Sequence, residues 1–421
     1  MKFNKYIGFG LAILLYVVFD FYCVFVSNYL NVRNRKDPSD LRLRYNEICC
    51  SHTGVNPFDV WNQKVTHPNF GYHDHPPYSD DVSNKPKVHA YPPWHTTFFW
   101  FYGWIGYPYV IAVLYLLFGI NIVLVFNFLK RHSPEGGPRQ FFYWMLSVGF
   151  ASVPIVLCLM YGNYGILFLT CVLSMAWALE RKNDLVVALC WSILMIKPQV
   201  GLLFFWPIVI ARRWKAILFA VLFCLIATLF PAIVYHCSPM DLILQIPQIG
   251  APWSRPHYWP PMKGCYYPQL VQYCELAFWS FVCGIACWWA RKVPQKWMLL
   301  LPVILIFPVW TYSNRYDHVL LIFPWMYIAV MLTRGGFNPK NESRVFLILA
   351  SYLIISVLVR SYAIWWERIS ISSMPLLILY TYFFYFLGLI ATFLPLIILL
   401  GCVCSATRKD VCKKESVIYA V

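Results

Sequence analysis

Four groups of polar residues in this chain have the types and spacing to act on a substrate. The first is Asp37 and Asp40, set among Arg33, Arg35, Lys36, Arg42 and Arg44. Guanidinium neighbours favour the ionised form of a carboxylate. That suits a group that accepts a proton from a hydroxyl as the hydroxyl attacks. The same spacing also fits a solvated charge cluster at a membrane edge. The second is Lys197 in the run MIKPQVG. An ammonium between apolar helices calls for an anion or a wet cavity, and lysine meets a phosphate as a point charge. The Lys197 stem could instead snorkel to an interface, although Pro198 points to a built helix break. The third is Arg315, Asp317 and His318 in SNRYDHVLLIFP. Here Arg and His can donate to phosphate oxygens while the Asp orients the ring; an ordinary polar turn would read the same. The fourth is Tyr91, Pro92 and Pro93 before Trp94 and His95, where two prolines fix an extended entry into an aromatic helix. Taken alone, that is an interface anchor.

Composition sets the elements that must hold these groups. Of 421 residues, 60% are hydrophobic and only 12% are charged, about half the charged share of a soluble domain. Such a chain cannot coat a globule in water. The expectation is an all-α polytopic membrane protein with about 10–12 transmembrane helices. The net charge of +16 sits in short connectors, where it sets topology, so nucleic acid is not an expected partner. The fifteen cysteines lie mainly within apolar runs as small hydrophobes. Only Cys49, Cys50, Cys237 and Cys265 fall in outer segments, and no CxxC or zinc spacing is present. GxSxG, HExxH, the phosphate-binding GxxxxGK[ST] and GxGxxG are all missing.

Residues 7–30 form the first expected span, with Lys2 and Lys5 inside and Asp20 within it. The large outer segment 31–93 follows. Trp94 to Tyr107 is too short to cross and reads as an interfacial or re-entrant helix. Pro108–Leu129, Phe141–Met160 and Ile166–Leu179 are spans, with YGNYG as the outer turn between the last two. Leu185–Ala211 lies between two basic clusters and reads as a hairpin with MIKPQVG at its tip. Arms of about 13 residues rise only about 20 Å each, so the tip stops within the outer half of the bilayer. Irregular backbone at that depth is tolerated only where it lines a protein cavity. Trp214–Tyr235 goes out to a second outer loop, 236–268. Further spans cover Leu270–Ala290, Trp297–Trp310, Val319–Leu332, Val345–Ser361 and Pro375–Val403, and a basic tail, 404–421, ends the chain. The whole of 1–421 thus reads as one membrane domain with both termini cytoplasmic. No internal repeat of the transporter kind is visible.

In order, the chain shows DLRLRY, GVNPF, YPP, GN after the third span, KPQ followed by RRW, and DH heading a late span. Their order and their placement against the spans resemble the membrane glycosyltransferases of family 87, polyprenyl-phosphate-mannose-dependent mannosyltransferases among them, in the C-type glycosyltransferase superfamily. The likeness runs from Tyr29 to Arg334. It implies the C-type glycosyltransferase fold with a large first outer loop, and Asp40 as general base. It implies Lys197 and Gln199 of KPQ on the donor phosphate, with His318 near the same group; Arg315, on the reading of the residues themselves, would join them there. Tyr91, Pro92, Asn163 and Asp317 would border the cavity. The chain departs from the pattern at Asn163, where relatives often carry Gln, and in an insertion from Asn62 to Ala90. That insertion brings His67, His73, His75 and His89, but their spacing is irregular and no metal or other cofactor is expected.

The resemblance therefore implies an inverting hexosyltransferase. It would pass a sugar, hexose or pentose with mannose foremost, from a polyprenyl-phosphate monosaccharide to a glycan or glycolipid acceptor. The reaction would take place on the outer side of a plasma (inner) membrane, in a monomer embedded in the lipid bilayer. No N-x-[ST] sequon falls in an outer segment, which leans toward that membrane over the endoplasmic reticulum. The competing reading is a transporter or flippase for a lipid-linked or anionic substrate, which would use the same basic cavity without bond chemistry.

Overall fold

A computed structural model of the chain describes residues 40–61, 91–132, 162–250, 269–291 and 296–310, with isolated positions at 155, 158 and 159 and between 319 and 330. The chain divides into two compact units, 18–126 with 154–323, and 1–17 with 127–153 and 324–421. Nearly all described residues belong to the first unit, which is the subject here. In chain order its helices are α1 (Asp40–His52), α2 (Pro57–Trp61), α3 (Trp94–Phe99) prolonged by a 3-10 turn (Trp100–Gly103), α4 (Tyr107–His132), which runs on past 126, α5 (Gly165–Arg181) and α6 (Asp184–Leu194). They continue as α7 (Pro198–Gly201), a 3-10 turn (Leu202–Phe204), α8 (Phe205–Ile210), α9 (Trp214–Val234), α10 (Pro239–Gly250), α11 (Gln269–Ala290) and, after a 3-10 turn (Lys296–Leu299), α12 (Leu300–Trp310). The described residues contain helices and no strand. By length and composition, α4 and α9 can each cross a membrane. They turn Leu116 and Val123, and Leu225 and Ile233, outward, apolar surface of the kind a bilayer covers.

Two polar segments depart from the sequence expectation. Residues 31–93 and 236–268 read as loops, yet α1 stands in the first and α10 in the second. In α1 the inward face carries Arg44, Glu47 and Ser51 beside Leu41 and Ile48, so no clean apolar period marks it. In α10, Pro247 argues against a helix in the sequence.

The hairpin is observed where the basic clusters place it. Lys182 takes left-handed backbone at φ 60° and ends α5, and the Asn183 side chain then accepts Val186 N–H to cap α6. Helices α5 and α6 are therefore antiparallel neighbours. Arg213 Nη1 lies 3.3 Å from Asp184 Oδ1, and Ser192 Oγ donates to Ala220 O at 3.3 Å, so α6 and α9 start side by side and run parallel. At 1.5 Å per residue α5 rises about 25 Å, α6 about 16 Å and α9 about 31 Å. The α6 tip is thus recessed below the ends of both neighbours. The return arm is held tightly: a Cβ on Gly201 would come within 2.8 Å of the Leu194 carbonyl, and Trp191 Nε1 donates to Gly201 O at 2.9 Å.

Candidate active site

Helix α1 (Asp40–His52) is followed by a turn at Gly54, whose φ of +77° keeps the helix from running on. Residues 40, 44, 47 and 51 fall on one face at the 3–4 spacing of a helix. Three of those positions are polar and almost wholly buried: Arg44, Glu47 and Ser51.

Glu47 is the centre of the arrangement. Its Oε1 accepts the Tyr91 N–H at 2.9 Å, and its Oε2 accepts from Arg44 Nη1 at 3.3 Å. The Arg44 guanidinium in turn lies 3.7 Å over the Tyr91 ring, a cation–π contact strengthened by desolvation. His95 Nδ1 stands 3.2 Å from Glu47 Oε1, a contact of charge rather than an aligned hydrogen bond. On the other side of the ring, His95 Nε2 meets the Tyr164 hydroxyl at 2.9 Å. Aromatic rings close the space around this line: Phe99 stacks on Tyr164 at 4.7 Å, and Tyr91 and Phe99 flank His95 at 5.0 and 5.1 Å. Burial lowers the His95 pKa below its ordinary value, outweighing the pull of the Glu47 carboxylate, so the ring is held neutral. Burial also pushes the Tyr164 phenol well up, so its hydroxyl keeps its proton.

Further hydroxyls bind the same region to the end of α9. The Tyr235 hydroxyl sits 2.5 Å from Ser51 Oγ and 3.3 Å from Thr96 Oγ1, and Thr97 Oγ1 donates to Ala227 O. Helices α1 and α3 thereby meet α9 beyond the level at which α6 stops. Gly162 supplies one more tie. Its φ of +62° suits glycine, and a Cβ there would overlap Leu41 and come within 3.4 Å of Leu41 N. The YGNYG turn is therefore pressed against the first turn of α1.

Lys197 caps the break between α6 and α7 and is 6% exposed. Its ammonium stem is enclosed by protein, which removes the reading in which it snorkels outward. Helices α1 and α3 and the start of α5 lie beyond the level of this break.

With this geometry in place, the family match can be read against it. The model of glycosyltransferase family 87 matches residues 89–333, more than half of the chain. The chain belongs to glycosyltransferase family 87. No curated protein and no solved structure matches it. The family 87 segment takes in Tyr91, Pro92, His95, Asn163, Tyr164, Lys197 and Gln199, and leaves α1 outside. The carboxylate that gathers Tyr91 and His95 thus comes from beyond the matched segment.

Among the residues singled out in the sequence, Tyr91, Pro92 and Asn163 are buried. Asn163 Oδ1 accepts the Gly165 N–H at 2.9 Å and so shapes the start of α5. The backbones of Asp40 and Gln199 are helical, and their side chains lie outside the described residues. Arg315, Asp317 and His318 lie outside the described residues too, as do Cys265 and the insertion histidines at 67, 73, 75 and 89. Cys49, Cys50 and Cys237 are free thiols. Sequence reasoning missed Glu47 and Tyr164, and read His95 as part of an interface anchor. The signal that finds Glu47 is its place seven residues after Asp40 and three after Arg44, legible once α1 is read as a helix. For His95 and Tyr164 the sequence shows only aromatic anchors.

Proposed function

We propose that this family 87 glycosyltransferase is a multi-pass membrane enzyme of the C-type architecture. It transfers a sugar, mannose foremost, from a polyprenyl-phosphate monosaccharide to a glycan or glycolipid acceptor on the outer face of the membrane, with inversion. The observation that carries this reading is the recessed hairpin tip, where Lys197 is enclosed below the outer ends of α5 and α9. A lipid phosphate entering between helices would reach that depth. Lys197 then offsets the charge that grows on the departing phosphate, with Arg315, His318 and Gln199 as further contacts. Asp40, at the first turn of α1 beside the Gly162 turn, takes the acceptor's proton as its oxygen attacks the anomeric carbon. The carbon–oxygen bond to the lipid phosphate breaks on the opposite face, and free polyprenyl phosphate leaves. Family membership supports a transferase over a flippase, which would release nothing from the lipid.

The test uses purified full-length protein with radiolabelled polyprenyl-phosphate sugars and an extract of glycolipid acceptors. Transfer with appearance of free lipid phosphate is expected. Asp40→Asn should lower turnover by about 100-fold or more, the usual contribution of a general base, at unchanged thermal stability. Ordinary turnover in that variant removes Asp40 as the base.

A further inference from the structure

We propose that Glu47 is a positioning residue for the transfer: through His95 and Tyr164 it clamps α1, and with it the backbone of Asp40, to α3 and to the turn that opens α5. The proposal rests on the reading of Asp40 as the base. Asp40 lies two turns before Glu47 on the same helix face, about 10 Å along the axis. The YGNYG turn grips α1 at two separate levels. Gly162 abuts Leu41, next to Asp40, while Tyr164 reaches Glu47 through the His95 ring. A helix held at two levels by one turn can neither slide nor rotate against it. Tyr91 N–H on Glu47 Oε1 adds a third hold, from the residues just ahead of α3.

The proton arrangement follows from the contacts. A carboxylate oxygen 3.2 Å from Nδ1 favours a proton on that nitrogen. That leaves Nε2 bare, to accept from the Tyr164 hydroxyl at 2.9 Å. The charged and titratable groups facing the ring are Glu47 and Arg44 from α1, Tyr91 ahead of α3 and Tyr164 ahead of α5. Glu47, His95 and Tyr164 are buried and engaged with one another. Their effect on the reaction is through α1.

Two measurements on the full-length protein test this. The first needs no substrate: nitrogen-15 NMR of labelled histidine, with His95 assigned by its loss in His95→Gln. The wild type should show the tautomer protonated at Nδ1, and Glu47→Gln should shift it toward Nε2. A wild-type ring protonated at Nε2, or one unmoved by Glu47→Gln, overturns the proposal. The second is kinetic, with polyprenyl-phosphate mannose as donor. Glu47→Gln keeps an acceptor for Tyr91 N–H and the shape of the side chain. It should lower kcat about 100-fold, the scale of a misplacement of about 1 Å, with donor KM changed less than twofold. Tyr164→Phe should lower kcat about tenfold, and the double variant should fall no further than Glu47→Gln alone, because coupled residues are not additive. Full kcat in Glu47→Gln, a change confined to KM, or additive losses would overturn it. Turnover retained in Asp40→Asn alongside a collapse in Glu47→Gln removes the base assignment and leaves the clamp standing.

Discussion

The two ends of α9 carry ion pairs of the same length in different surroundings. At its start, Arg213 and Asp184 stand 3.3 Å apart with side chains 16% and 21% exposed. At its far end, beyond Tyr235 and Ser51, Arg44 and Glu47 also stand 3.3 Å apart, at 6% and 2%. Water and salt screen the first pair, so it contributes little. The second has given up its hydration, and each partner depends on the other and on the groups around it. One end of the unit is therefore set by helix caps and tight turns that any residue of the right type can make. The other is set by a single carboxylate with direct partners from two stretches of chain, α1 and residues 91–95, and a third stretch, at Tyr164, reached through His95. Burial, rather than bond length, separates a replaceable contact from an indispensable one.

Stability measurements can sharpen or break this contrast. The largest loss is expected for Glu47→Ala, which takes the carboxylate away from the buried Arg44 guanidinium and the Tyr91 N–H: about 3–5 kcal/mol, read as a fall in melting temperature in detergent. A loss no greater than that of the pair at the other end would erase the contrast. Next is Gly201→Ala, whose methyl meets the Leu194 backbone and should cost about 1–3 kcal/mol by overpacking; an unshifted melting curve would show that the hairpin tip is looser than described. Acid should act on the far end. The pKa of His95 is lowered in the folded protein, so the unfolded chain takes up that proton first, near pH 6.5. This part of the stability is present above about pH 6.5 and declines as pH falls from there. His95→Gln should flatten that slope, and an unchanged slope would put the acid response elsewhere. Asp184→Asn should have the smallest effect, about 1 kcal/mol or less, reduced further by salt.

The same contrast separates what the sequence discloses from what it hides. The hairpin was legible because its rules are local: basic clusters at either side, a run too short to cross twice, Pro198 at the break. Lys197 stood out for the same reason, as a cation inside an apolar run. Helix α1 was not legible, since its buried face mixes Arg44 and Glu47 with Leu41 and Ile48, and polar residues at inward positions erase the periodicity that marks a helix. His95 read as an interface anchor because its partner carboxylate lies 48 positions earlier, and nothing in the spacing joins them. Groups whose burial is made possible by long-range pairing leave no mark in a window of sequence.

The tie between His95 and Tyr164 spans 69 positions, and that between Glu47 and Tyr91 spans 44. During synthesis the helix that begins at Asp40 is complete long before the tyrosine that locks it has left the ribosome. In that interval its carboxylate and guanidinium must stay hydrated, because contacts of such separation reward the chain only after the loop has closed. The Glu47 cluster consequently matures only after residue 164 has emerged. A nascent chain halted before residue 164 would carry α1 without its tie to Tyr164.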